Sequence, residues 1–131
     1  MNIYISEDDM CTTQKLNLAR VQKWFIANGE NIVEDIDQAN LILCMTCNGW
    51  SLLEDNSYKR IKKFKKYSKD MIVMGCVVDA HKEKLEKLWQ GKTVRTRSSQ
   101  PLSFEEIESY FPDYKVSLSQ IPAQSIFKLL L

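Results

Sequence analysis

The sequence predicts a single three-layer α/β domain in which a mostly parallel open sheet carries helices on both faces. Two apolar runs, 41–45 and 71–74, are nearly continuous, as expected for strands that are buried on both faces. Segments with helical periodicity separate the apolar runs along the chain. The length of 131 residues fits one domain. This order of elements is typical of flavodoxin-like and Rossmann-like sheets.

The first half of the chain alternates between short strands and helices with one apolar face. In order, the predicted elements are a strand at 2–6, a helix that starts at Thr12 or Thr13 and stops at 28–29, a weak strand at 32–33, a strand at 41–45 and a helix over roughly 52–67. Leu18, Val21 and Phe25 recur at helical spacing in the first helix. Gly29 lies where glycine commonly ends a helix.

The second half continues the alternation and then changes in composition. The predicted elements are a strand at 71–74, a helix from about Ala80 that Gly91 ends, a short strand at 93–94 and a short helix after Ser103 that Pro112 terminates. Ser103 followed by Glu106 is a capping-box pattern. We expect one domain over 1–97 and a linker over 98–131. Because 125–131 is apolar and strand-like, we expect the native chain to continue into a second domain.

Composition and charge exclude several classes of protein. The chain is 44% hydrophobic and 27% charged, which is typical of a globular domain rather than a disordered or coiled-coil one. The net charge of +1 gives no overall reason to expect a nucleic-acid or membrane partner. No apolar run approaches the roughly 20 residues of a membrane span, and the acidic N-terminus is unlike a secretory signal, so we expect a cytoplasmic location. The single histidine and the four glycines give little support to a hydrolase triad or a phosphate-binding loop.

Three cysteines occupy equivalent places in the predicted fold. Cys11, Cys47 and Cys76 each lie just beyond the carboxyl end of a predicted strand and before a helix. Because these strand ends share one edge of a parallel sheet, the three thiols can converge there although they are distant in sequence. Helix N-termini favour thiolates, and three thiolates suit zinc or an iron–sulfur cluster. The alternative is that the three cysteines are inert core residues.

The fourth cysteine completes a C-x-x-C sequence. Cys44 precedes Cys47 by three positions, a spacing found in redox motifs and in half of a zinc site. Cys44 lies within the apolar strand 41–45, and a second C-x-x-C is absent from the chain. We therefore interpret Cys44 as a small core residue.

Short motifs surround the three cysteines that follow strands. Cys11 follows the first strand, Met45-Thr46-Cys47-Asn48 spans the end of the third, and Met74-Gly75-Cys76 ends the fourth. This pattern resembles the N-terminal domain of the radical S-adenosylmethionine methylthiotransferases, which is marked by G-C-x-x-N, then N-T-C-A-V, then T-G-C. Segments 25–29, 37–41 and the basic helix 59–66 also have family-like counterparts. The likeness covers about residues 1–90.

The resemblance implies that Cys11, Cys47 and Cys76 hold one auxiliary 4Fe–4S cluster whose fourth iron has no protein ligand. In that family the cluster supplies or carries the sulfur that is inserted into a C–H bond. The radical comes from S-adenosylmethionine and a second cluster, in a separate domain with a C-x-x-x-C-x-x-C motif that is absent here. The resemblance therefore implies a fragment of a sulfurtransferase. Its partners would be the radical domain of the same polypeptide and a tRNA, protein or peptide substrate.

Two other functions stay open from the residues alone. The chain could be a non-catalytic α/β binding or regulatory module with structural cysteines, or an RNA-binding accessory domain. In the second case phosphates would contact the basic residues of one helix and the turn after it. These are Lys59, Arg60, Lys62, Lys63, Lys65, Lys66 and Lys69. A solvated helix face also accounts for them. His81, five residues after Cys76, can approach the metal site but also suits a surface or capping position.

Overall fold

The computed structural model describes residues 1–7, 12–47, 49, 51–96 and 104–123. The strands in these residues are β1 (Asn2–Ser6), β2 (Asn31–Val33), β3 (Leu41–Thr46), β4 (Asp70–Gly75) and β5 (Lys92–Arg95). The helices are α1 (Thr12–Ala27), α2 (Ser51–Lys65), α3 (Cys76–Ala80), α4 (Lys82–Leu88) and α5 (Phe104–Glu108). Each predicted strand is present, with its ends within one residue of the prediction. None of the described helices is both long and apolar enough to cross a membrane.

The described strands form one sheet in which every pairing is parallel. Their order is β2-β1-β3-β4-β5. This is the flavodoxin-like order, in which the direction of winding reverses between β1 and β3. One core cluster lies between the sheet and α1, and a second lies between the sheet and the α2–α4 side. The three-layer parallel α/β fold predicted from the sequence is confirmed.

The two central strands are buried on both faces, as their continuous apolar runs predict. In β3, Leu41, Leu43 and Met45 belong to the cluster on the α1 face. Ile42 and Cys44 alternate with them and belong to the cluster on the α2 face. This alternation follows from the two-residue period of a strand. Cys44 is fully buried, so its interpretation as a core residue is confirmed.

The helical region after β4 differs from the prediction. Helix α3 begins at Cys76, directly after the strand, rather than near Ala80. Its early start buries Val77 and Val78 against the sheet. His81, at φ −131° and ψ 45°, then interrupts the helix before α4 begins. The predicted apolar face of the second part is present, with Leu85 buried.

The short helix α5 also differs in part from the prediction. It ends at Glu108, four positions before Pro112, so another feature ends it. Ser103, the first member of the predicted capping box, lies outside the described residues. The carboxylate of Glu106, the second member of that pattern, accepts hydrogen bonds from the backbone and side chain of Arg95.

Helix α5 and the described residues after it pack against α1. Ile107 and Leu118 are fully buried and share the core cluster of the α1 face with Trp24 and Phe25. The indole nitrogen of Trp24 donates to the carbonyl of Val116 at 2.7 Å. Much of the segment predicted as a linker therefore forms part of the packed core.

Candidate metal centre at the carboxyl edge of the sheet

Cys47 and Cys76 follow the ends of neighbouring strands. Thr46 of β3 lies opposite Gly75 of β4 in the register, and each cysteine is the next residue. Neighbouring strands are about 4.8 Å apart, so the chain enters the two loops side by side. Two of the three predicted ligands are thus placed at adjacent strand ends. Cys11 lies outside the described residues, and the strand that precedes it, β1, borders β3 on the other side.

The turn between β4 and α3 requires glycine. Gly75 has φ 113° and ψ −164°, a backbone region that only glycine adopts readily. A Cβ atom there would lie 2.4 Å from the carbonyl oxygen of Thr46 and 2.8 Å from its Oγ1. The sharp turn at Gly75 lets the chain leave the strand and start α3 at Cys76. The close approach of Thr46 therefore explains why the G-C dipeptide has glycine before Cys76.

Thr46 fixes this turn from the neighbouring strand. Its side chain is fully buried. The hydroxyl donates to the carbonyl of Met74 at 2.8 Å and accepts from the backbone N–H of Val77 at 3.3 Å. These two contacts lie on either side of Gly75 and Cys76, so one hydroxyl sets the path of the chain through the turn.

Cys47 is held through its backbone by a serine on α2. Its N–H donates to Oγ of Ser57 at 3.0 Å, and Ser57 is fully buried. The serine hydroxyl lies 3.2 Å from the carbonyl of Cys47 and 3.0 Å from that of Leu53, so either can accept its one proton. A Cβ at Gly49 would make an ordinary contact with the Cys47 sulfur at 3.8 Å and a tighter one with Cδ1 of Leu53 at 3.3 Å. The motif spacing does not predict the role of Ser57.

Cys76 is in contact with the first turn of α1. The sulfur accepts a hydrogen bond from Nε2 of Gln14 at 3.0 Å. The same nitrogen donates to the carbonyl of Thr96 at 2.6 Å, and Gln14 is fully buried. Gln14 comes three residues after Cys11 in the sequence. The helix that follows Cys11 is therefore tied directly to the sulfur of Cys76.

Arg60 brings a positive charge to the junction of β1 and β3. Its guanidinium donates to Oγ of Ser6 at 3.0 Å and to the carbonyl of Met45 at 2.8 Å. It also lies 3.8 Å from the sulfur of Cys44, the register partner of Ser6. Open parallel sheets bind ligands at this reversal point. The sequence pattern groups Arg60 with lysines on a solvated face, but its side chain is half-buried, whereas the lysines of α2 are exposed.

A polar cluster around Glu54 joins α2 to α4. The carboxylate accepts from the Tyr58 hydroxyl at 2.9 Å, and it lies 3.3 Å from Lys84 Nζ and 3.5 Å from His81 Nε2. Burial opposes ionisation of Glu54, but hydrogen bonds from Tyr58 and Lys84 and the nearby positive charges lower its pKa overall. Burial and then the bond to Glu54 raise the pKa of Tyr58. The contact with Glu54 gives His81 a structural position beside α2.

The donor atoms at this edge fit a sulfur-ligated metal group. Within the described ranges, no group of three His, Cys, Asp or Glu side chains is arranged to hold a metal ion. Cys47 and Cys76 supply thiols, which are soft ligands suited to zinc or an iron–sulfur cluster. The buried hydroxyl of Thr96 has no hydrogen-bond partner among the described residues. A cluster held by Cys11, Cys47 and Cys76 is compatible with these thiols and with the hydroxyl of Thr96 that lacks a partner among the described residues.

The fold and this edge define a class of protein: a flavodoxin-like α/β domain with thiols at the ends of its central strands. The model of the uncharacterized protein family UPF0004 matches residues 10–95. Because the match covers more than half of the chain, the protein belongs to this family, the N-terminal domain of methylthiotransferases. No curated protein and no solved structure matches the chain. The resemblance stated from the sequence motifs is thus confirmed.

Proposed function

We propose that this domain holds one auxiliary 4Fe–4S cluster through Cys11, Cys47 and Cys76. The domain would serve a radical S-adenosylmethionine enzyme of the methylthiotransferase type. When bound, such a cluster supplies an iron without a protein ligand, where a sulfur species can be held for insertion into a C–H bond. Membership of the family and the thiol chemistry of the edge support this proposal.

The observation that carries the proposal is the register between β3 and β4. Thr46 and Gly75 are paired, so Cys47 and Cys76 leave the sheet from neighbouring positions. The contact between Gln14 and the Cys76 sulfur adds the third loop, because Gln14 is only three residues from Cys11. Three residues of chain span at most about 11 Å. This short separation in sequence supports a site that Cys11 shares with the other two cysteines.

The residues around the cysteines would orient the ligands. Thr46 and Gly75 set the turn from which Cys76 projects, and Ser57 holds the backbone of Cys47.

The partners of the domain follow from the same proposal. The radical would come from S-adenosylmethionine and a second cluster in another domain of the same polypeptide. The substrate would be a tRNA, a protein or a peptide that reaches the carboxyl edge of the sheet.

Anaerobic reconstitution of the full 131-residue chain with iron and sulfide tests the proposal. We expect about four iron and about four sulfide per chain, the content of one cubane cluster. Cys11→Ala, Cys47→Ala and Cys76→Ala should each lose most of this iron. Cys44→Ala is the matched control, because Cys44 is buried in the core and is not a proposed ligand.

Two results would contradict the proposal. One is a wild-type chain that folds but takes up no iron or sulfide. The other is a loss of iron in Cys44→Ala as large as in Cys47→Ala. The first result would favour the alternative in which all the cysteines are structural parts of an α/β module. The second would show that iron binding does not distinguish the three proposed ligands from Cys44.

A further inference from the structure

Gln14 is a fully buried amide that connects three parts of the fold. It lies in the first turn of α1, and its Nε2 contacts both the sulfur of Cys76 and the carbonyl of Thr96. Its Oε1 accepts from Nδ2 of Asn17 at 3.4 Å. Burying an amide is costly unless its hydrogen bonds are made. Here the contacts satisfy both hydrogens of the nitrogen, and each has a specific acceptor.

The carbonyl of Thr96 fixes which end of the amide faces the sulfur. A backbone carbonyl only accepts hydrogen bonds, so the Gln14 atom 2.6 Å from it must be the nitrogen. The NH₂ group has two hydrogens, and one is directed to the carbonyl. The other is then available to the sulfur of Cys76 at 3.0 Å. The amide therefore acts as a donor to the sulfur and not as an acceptor from it.

We infer that Gln14 is a positioning residue that donates a hydrogen bond to the Cys76 sulfur and thereby raises the reduction potential of the proposed cluster. The effect on the reduction potential rests on the proposed function, whereas the hydrogen bond does not. Hydrogen bonds to ligand sulfurs are one of the means by which proteins set the potential of an iron–sulfur cluster. One electron taken from a one-electron reductant in the titration would increase the negative charge on the sulfurs, with no bond made or broken. A donor at the sulfur stabilises that reduced state more than the oxidised one.

The position of Gln14 also connects the sulfur of Cys76 to the first turn of α1. Its side chain bonds Cys76, and its backbone belongs to the helix that follows Cys11. Rotation of the Cys76 side chain would break the bond and leave a buried amide hydrogen without an acceptor. Gln14 therefore restricts the sulfur to one orientation relative to the N-terminal turn of α1.

Redox titration of the reconstituted chain tests the inference. Gln14→Met keeps the length of the side chain and removes both donors. We expect the ratio of reduced to oxidised cluster at a given potential to fall about tenfold, which is about 59 mV for one electron. Gln22→Met is the matched control, because it makes the same change elsewhere on α1 at a half-buried position. Its midpoint should equal that of the wild type.

A second measurement needs neither iron nor a substitution of Gln14. In the metal-free protein, the side-chain amide hydrogens of Gln14 should exchange slowly with solvent, as seen by nuclear magnetic resonance. Cys76→Ala removes one acceptor, so exchange of one of the two hydrogens should become faster.

If Gln14→Met does not fold, Gln14→Asn replaces it in the redox titration, because the shorter amide cannot reach both acceptors.

The outcomes separate the two proposals. Failure of the wild type to bind iron overturns the proposed function, while the amide exchange still tests the contact between Gln14 and Cys76. A cluster that forms normally but has the same midpoint in Gln14→Met, Gln22→Met and the wild type overturns the role of Gln14. Unchanged amide exchange in Cys76→Ala overturns the hydrogen bond itself.

Discussion

At Gly75, two separate constraints exclude a side chain. The backbone has a positive φ of 113°, and a Cβ would collide with the backbone and hydroxyl of Thr46. Gly29 also has a positive φ, 87°, but nothing lies within 4 Å of a Cβ built there. The two glycines therefore separate the cost of the conformation from the cost of the close approach.

Gly75→Ala should lower the free energy of unfolding by about 2–5 kcal/mol, since backbone strain and overpacking add. Gly29→Ala should cost only about 1–2 kcal/mol, from conformation alone. Urea unfolding of both variants measures the difference. Equal losses would show that the close approach of Thr46 to Gly75 contributes nothing.

Tyr114 shows how one side chain ties the C-terminal segment to the start of β2. Its hydroxyl donates to Oε2 of Glu30 at 2.8 Å. Burial and then this hydrogen bond to a carboxylate raise the pKa of Tyr114 above that of a free tyrosine. The unfolded chain therefore releases the phenolic proton at lower pH than the folded protein does.

This shift predicts a loss of stability in alkaline solution. The contribution of Tyr114 is fully present below the unfolded pKa of about 10 and is lost as the pH rises toward the folded value. Tyr114→Phe should lower the free energy of unfolding at pH 7 by about 1–2 kcal/mol. The difference from the wild type should shrink between about pH 10 and pH 11, as measured by urea unfolding. A difference that stays constant over this range would contradict the assigned shift.

At the scale of elements, α5 and the turn after it cover the open edge of β5. The Tyr110 hydroxyl accepts from the N–H of Thr93 at 3.2 Å and donates to its carbonyl at 2.8 Å. Glu106 accepts from the N–H of Arg95 at 2.8 Å. An uncovered edge strand presents such groups to other chains and promotes association. Side chains here occupy the places that a sixth strand would use.

Tyr110→Phe should expose this edge. We expect the Thr93 amide to exchange with solvent at least tenfold faster and the free energy of unfolding to fall by about 1–2 kcal/mol. Tyr67→Phe is the matched control, since Tyr67 is also half-buried but packs on the opposite face of the sheet. Equal exchange rates in the two variants would show that Tyr110 does not protect β5.

The sequence pattern predicts those elements whose signal is local. The buried runs of β3 and β4 and the apolar face of α1 are visible in the chain, because burial on both faces or on one stripe leaves a periodic pattern. The break at His81 is not visible, since no glycine or proline marks it in the sequence. In the fold, His81 Nε2 lies 3.5 Å from the carboxylate of Glu54, 27 positions earlier. The position of Arg60 depends on Ser6, which is 54 residues away.

The sequence likewise predicts only part of the candidate site. The placement of Cys47 and Cys76 at neighbouring strand ends follows from the motif positions and the parallel sheet. Ser57 carries no motif signal as a partner of Cys47. Gln14 occupies the last position of the G-C-x-x-N pattern, but the pattern does not indicate its contact with Cys76. Their roles appear only when α2 and α1 are packed on the sheet, because each contact joins residues of different elements.

At the scale of the whole molecule, hydrogen bonds join residues of α1 and the turn after it to residues near position 120. Asn28 bonds both the N–H and the carbonyl of Val116, 88 residues later. Arg20 donates to the carbonyl of Ile121 at 2.9 Å. Composition alone predicts a linker after residue 97, because these polar contacts leave no periodic pattern. Residues 104–123 of this segment are packed against α1, the helix whose first turn contacts Cys76.

Diffraction at the iron absorption edge from crystals of the anaerobically reconstituted chain tests the central claim most directly. The account predicts a strong anomalous peak at the carboxyl ends of β3 and β4, within bonding distance of the sulfurs of residues 11, 47 and 76. An ordered structure with these three sulfurs directed to separate regions, or with iron bound elsewhere, would contradict it.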